Sequence, residues 1–149
     1  MNSTFFDAAY DEAVKAFNLN EVPVGCVIVK DNTIIARGFN QKEKRHSSIF
    51  HAEMMAIYDA CNVLGNWRLE NCDLYVTLEP CPMCASAIKQ SRIRNVYCGL
   101  SNLDSKNREL VEKIFLNDMT NPRTNFYSDL DSDRVKKLMQ KFFDIQRKK

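Results

Sequence analysis

Two short clusters constrain this chain more than anything else in it: His51-Ala52-Glu53, and Pro80-Cys81-Pro82-Met83-Cys84 further on. Each stands where an apolar, helix-periodic stretch begins, so each reads as the opening of a helix. Pro82 suits a first helical turn, where a missing N–H costs nothing. Cys81 and Cys84 are three apart, so on a helix both sulfurs reach one point in space. The positive end of a helix favours the ionised thiol, which is the form that binds metal. A fold that serves these residues has to bring two helix starts together.

Taken in order, the chain supplies the elements for such a fold. Ser3 is placed to cap a helix running to about Phe17, with Phe6, Tyr10 and Val14 on one face. Val24 to Val29 and Ile34 to Phe39 read as strands, and Asp31-Asn32 between them as a hairpin turn. Residues 40–50 lack periodicity and read as a loop. The next helix runs from near His51 to Gly65, with Met54, Ile57, Tyr58, Cys61 and Leu64 as its inward stripe. A strand over Asp73 to Leu78 leads into a helix from about Cys81 to Gln90, with Cys81, Cys84, Ala85 and Ile88 inward. Asn95 to Cys98 is a strand, Leu103 to Leu116 a helix, and Phe126 to Tyr127 a short strand. The last helix starts near Asp131 and turns Val135, Leu138, Met139, Phe142 and Ile145 inward. Alternating helices and strands predict a mixed sheet covered on both faces.

Composition narrows the class. A chain of 149 residues, 45% of them hydrophobic, can bury one core, so residues 1–149 are expected to form a single domain. No apolar run reaches membrane-spanning length and nothing resembles a signal peptide, so an intracellular, cytoplasmic protein is expected. In that setting one close Cys-x-x-Cys pair among six cysteines points to metal or redox chemistry, not to disulfides. Cys26, Cys61, Cys72 and Cys98 read as small core hydrophobes. A net charge of +2 excludes a strongly basic nucleic-acid binder. Yet Lys136, Lys137, Lys141, Arg147, Lys148 and Lys149 crowd the last stretch, as a phosphate-binding face or a solvated helix would.

One imidazole and two thiols form a zinc ligand set that leaves the fourth position open. Glu53, two residues after His51, is badly placed to be a ligand with it and well placed beside the ion, where a carboxylate can move protons. A structural zinc closed by His46 or one of the other four cysteines is the alternative. It leaves Glu53 and the proline before the Cys pair unexplained. A redox Cys-x-x-Cys has no use for His51 or Glu53.

His-x-Glu followed by Pro-Cys-x-x-Cys is the signature of the zinc deaminases. "EVPVGCVIVKDNTIIARGFN", "HAEMMAI", "GNWRLENCDLYVTLEPCPMCASAI" and "SRIRNVYCGL" together resemble the bacterial tRNA-specific adenosine deaminase family, densely from Glu21 to Leu100. The resemblance implies a cytidine-deaminase-like three-layer α/β/α sandwich with a five-stranded mixed sheet. It implies one Zn2+ per chain on His51, Cys81 and Cys84, a homodimer, and a tRNA anticodon stem-loop whose wobble adenosine becomes inosine. By the same resemblance Glu53 shuttles protons, Asn40 binds the nucleoside, and the Ala52 N–H reads the base edge. "SNLDSKNRELVEKIF" stands where the family carries a glycine-rich segment, and "NPRT" at 121–124 only loosely follows the family's Asn-His-Arg. Competing expectations are a deaminase of free guanine or cytosine with the same zinc site, and a non-catalytic zinc-stabilised RNA binder.

Overall fold

Side chains alternate along the strands, and that alternation sets the layering. The computed structural model describes residues 2–102, 104–117 and 122–149. Along β1 (Gly25–Lys30), Cys26 and Ile28 enter one core while Val27 and Val29 enter another. In β3 (Cys72–Leu78), Leu74 and Val76 oppose Tyr75; in β4 (Asn95–Leu100), Val96 and Cys98 oppose Tyr97. A sheet apolar on both faces needs cover on both. β2 (Thr33–Phe39) and β5 (Asn125–Tyr127) complete it, in the order β2-β1-β3-β4-β5. β1 runs antiparallel to both its neighbours, and β3, β4 and β5 are parallel. The β1–β2 turn places Asp31 and Asn32 at φ 50° and 60°, the left-handed pair that a two-residue hairpin requires.

From β2 onward the chain crosses the sheet in one direction. Right-handed crossovers then put α2 (Ala52–Leu64), α3 (Pro82–Gln90) and α4 (Ser105–Leu116) on one face. α1 (Ser3–Asn18) and α5 (Ser132–Arg147) cover the other: Phe5, Phe6 and Ala9 pack on Val27, Val29 and Tyr75, and Phe142 meets Phe17 edge-on. This is the three-layer α/β/α sandwich with a five-stranded mixed sheet.

The inward stripes of two helices differ from the sequence expectation in the same way. α2 buries Ala52, Glu53, Ala56, Ile57 and Ala60 and leaves Tyr58 71% exposed. α1 buries Phe6 as expected, together with Phe5, Ala8, Ala9, Glu12, Ala13 and Ala16, while Tyr10 and Val14 are only half-buried. Reading bulk as inwardness overlooks alanine, and alanine is what allows these helices to press onto the sheet. A Cβ on Gly38 of β2 would lie 2.3 Å from the Ala52 carbonyl oxygen and 2.8 Å from the Ala56 nitrogen. The α1 cap is Asn2, whose side chain accepts from the Thr4 N–H at 2.9 Å, so Ser3 becomes the first helical residue. In α5, Ile145, expected inward, is 40% exposed. Cys26, Cys72 and Cys98 are buried, whereas Cys61 is half-buried at the helix edge. The expected start of α4 at Leu103 and the first residue of the 121–124 segment lie outside the described residues.

The close approach at Gly38 is testable. Gly38→Ala sets a methyl against backbone and is expected to lower unfolding free energy by about 1–3 kcal/mol in urea titration. Unchanged stability would mean that α2 can lift off the strand freely.

Candidate metal centre and active site

Parallel strands end on the same side of a sheet, so the segments following β2 and β3 meet there. The chain leaves β3 still tied to β4, with the Glu79 N–H donating to the Leu100 carbonyl at 2.9 Å, and turns through Pro80 into α3. Cys81 is the extended N-cap of that helix, Pro82 its first residue and Cys84 its third. α2 opens likewise, with His51 as an extended N-cap and Glu53 in the first turn. Neither cap side chain accepts from a backbone N–H of its own helix, which leaves both for other work.

The two helix starts bring the expected donors together. His51 Nδ1 lies 3.7 Å from Cys81 Sγ and 3.5 Å from Cys84 Sγ. Zinc–nitrogen and zinc–sulfur bonds of about 2.05 and 2.3 Å in a tetrahedron separate N from S by roughly 3.6 Å. The donor set therefore fits zinc. Among the described residues, the three donor atoms within 4.8 Å of one another come from His51, Cys81 and Cys84. His46 and the other four cysteines stand elsewhere, so the closed structural site lacks its fourth ligand among the described residues. Glu53 is 3% exposed and its carboxyl bonds the Cys84 side chain, beside the cluster but outside it.

Charge in the cluster is shared. The bond from Cys84, aided by His51, pulls the Cys81 thiol down to about 4, against its burial. That same bond, together with burial, pushes Cys84 far up. His51 is raised by its bond to Cys81. Burial drives the Glu53 carboxyl up to about 7, with the neighbouring Cys81 charge adding to the effect.

His51, Glu53 and Cys81 floor a cavity of about 230 Å³ lined by Val22, Val24 and Leu78 as apolar walls and by Asn40, Lys42, Ala52 and Asn102. Asn40 is buried, its amide donating to the Val22 carbonyl at 3.2 Å and accepting from the Lys42 N–H at 3.3 Å. As the first residue of α2, Ala52 carries an N–H with no intrahelical acceptor. Val22, Leu78 and Asn102 also line a second hollow of about 510 Å³, floored by Lys136, Met139, Gln140 and Phe143 of α5. Sequence reasoning missed the brace behind the site. Asn107 of α4 donates to Glu79 at 2.7 Å and to the Pro80 carbonyl at 3.1 Å, with Arg108 3.8 Å from the Glu79 carboxylate. The acid directly before Pro80 was its one visible sign.

Fold and site together define a zinc-dependent deaminase. Residues 1–100 match the family described as the cytidine and deoxycytidylate deaminase zinc-binding region. A tRNA-specific adenosine deaminase of Streptococcus pyogenes is 42% identical over 139 residues, 93% of this chain and 87% of that protein. A solved structure from studies of A-to-I editing by tRNA:A34 deaminases at the wobble position superimposes with a TM-score of 0.83 at 35% identity, covering 92% of this chain and 99% of that one. The guanine deaminase of Bacillus subtilis is 32% identical, with a TM-score of 0.66 over 97% of this chain and 95% of its own. The chain belongs to the cytidine and deoxycytidylate deaminase family and, within it, to the tRNA-specific adenosine deaminases.

Metal takes thiolate and neutral imidazole, so protons compete with zinc for His51, Cys81 and Cys84. Loading zinc must therefore release protons, and affinity should rise with pH. Titration calorimetry in buffers of different ionisation enthalpy is expected to show one to two protons released. Cys84→Ala is expected to lose the metal by elemental analysis, and proton release near zero would contradict thiolate ligation.

Proposed function

We propose that the protein hydrolyses adenosine to inosine at the wobble position of a tRNA anticodon, with His51, Cys81 and Cys84 holding one zinc ion and Glu53 moving protons. The observation that carries this reading is the buried Glu53 carboxyl beside a three-donor cluster, in a cavity whose Val22, Leu78 and Asn102 also line the α5 hollow. When bound, zinc supplies the Lewis acidity that lets water act as a nucleophile near neutral pH.

The chain's own groups do the rest. Val22, Val24 and Leu78 form apolar walls for a flipped base and exclude bulk water. The Ala52 N–H donates to the base edge, and Asn40 holds the nucleoside. Glu53 takes one proton from the attacking water and delivers it to the ring nitrogen, then takes the second from the hydroxyl now on carbon six and delivers it to the departing amine. Its burial-raised pKa near neutrality suits an acid that must also be a base. Carbon six gains an oxygen and loses its nitrogen as ammonia.

The α5 hollow favours a polynucleotide over a free base, because a lone base has nothing to place there. Phe143 is 43% exposed in it, whereas its neighbour Phe142 is buried against Phe17. Of the basic residues on α5, Lys136 lines the hollow, Lys141 lies over the Phe17 ring and Arg147 pairs with Asp144. The reading includes a homodimer, which the apolar surface at Tyr58 and Val63 on α2 supports. It also places the enzyme in the cytoplasm beside tRNA. All six cysteines are free, and among the described residues no helix is long and apolar enough to cross a membrane.

Zinc-loaded protein incubated with tRNA bearing a wobble adenosine, and separately with guanine, cytosine and cytidine, is expected to form inosine in the tRNA alone. Ammonia from guanine with unmodified tRNA would favour the free-base reading. Glu53→Gln is expected to keep zinc and lose turnover by about a hundredfold or more, and retained turnover would remove Glu53 from the chemistry. Lys136→Ala and Phe143→Ala are each expected to raise KM for tRNA, with the lysine change also flattening the salt dependence. An unchanged KM in both would make that hollow irrelevant to RNA.

A further inference from the structure

Glu21 lies outside every role assigned so far. It follows α1, its own N–H donates to the Ala16 carbonyl at 2.9 Å, and it is 1% exposed. A buried carboxylate demands strong partners. Here they are two backbone N–H groups of a distant loop: Glu43 donates to Oε1 at 2.9 Å and Lys44 to Oε2 at 2.6 Å.

That loop is a single helical turn. Arg45 N–H donates to the Gln41 carbonyl at 2.9 Å, and Ser47 N–H to the Lys42 carbonyl at 3.1 Å. Such a turn leaves its first N–H groups without internal acceptors. Asn40 takes the first, from Lys42, and Glu21 takes the next two. Asn40 and Lys42 also line the cavity beside His51 and Glu53. The same turn that Glu21 grips therefore forms one wall of the site. Charge-assisted bonds to both carboxylate oxygens fix its height and its rotation.

We propose that Glu21 is a positioning residue for the reaction: by clamping the Glu43 and Lys44 amides it holds the 40–46 turn so that Asn40 meets the bound nucleoside. This deepens the reading of the site given above and rests on it. A side-chain amide cannot replace the carboxylate, since its NH2 would face one of the two N–H donors.

Two measurements on the zinc-loaded full chain test it. The first needs no substrate: in Glu21→Gln, hydrogen exchange at the Glu43 and Lys44 amides is expected to speed up while zinc content stays at one per chain. The second is a double-mutant cycle. Glu21→Gln alone is expected to raise KM about tenfold or more with little change in kcat, the mark of lost uniform binding. In an Asn40→Ala background the same change should add less than about threefold, because both act through one contact. Additive penalties, unchanged exchange, or lowered stability with KM intact would overturn the proposal. Should Glu21→Gln not fold, Glu21→Asp keeps the charge, shortens the reach, and is expected to move the same readouts the same way. If the protein acts on guanine and not on tRNA, the substrate reading fails, and the cycle run on guanine still decides the clamp.

Discussion

Two helix N-termini have to meet above the ends of β2 and β3, and they can do so only because α2 lies almost on the sheet backbone. At Gly38 the Ala52 carbonyl and Ala56 nitrogen occupy the space where any side chain would stand. Ala56 and Ala60 keep the rest of that contact thin. A bulkier face would lift α2 away and carry His51 and Glu53 out of reach of Cys81 and Cys84. The donor cluster is thus a consequence of small residues packed several positions away from it.

Once assembled, the cluster works against its own solvation. Cys84 and Glu53 are buried, and burial alone favours their neutral forms. The opening turns of α2 and α3 offset part of that cost, since unpaired N–H groups and the helix dipoles favour negative charge at those ends. The outcome is a centre in which protons and a metal compete for the same donors. It holds a carboxyl near neutrality, where either protonation state is within reach.

The site wall is braced from two sides by groups that touch no reacting atom. Asn107 ties the Glu79-Pro80 exit of β3 to α4, and Glu21 ties the 40–46 turn to the end of α1. Both braces use side chains to satisfy polar groups stranded where regular structure stops. The α4 brace stands at the opening of that helix. There the chain caps a helix with Asp104 and turns Asn107 back onto the cysteine-bearing junction.

Much of this was legible in the chain. The spacing of Cys81 and Cys84, Pro82 in the first turn, Glu53 two after His51, and the Asp31-Asn32 hairpin are local patterns, and local patterns depend on nearby backbone geometry alone. The strands and helices were readable for the same reason. What only tertiary packing decided was phase and partnership. The inward faces of α1 and α2 follow alanines pressed on glycines and not the bulkiest side chains, so Tyr58 points outward. Glu21, Asn107 and the α5 hollow act between segments far apart in sequence. No periodicity encodes a bond across such a distance, because the partner exists only after the sheet has brought both ends together.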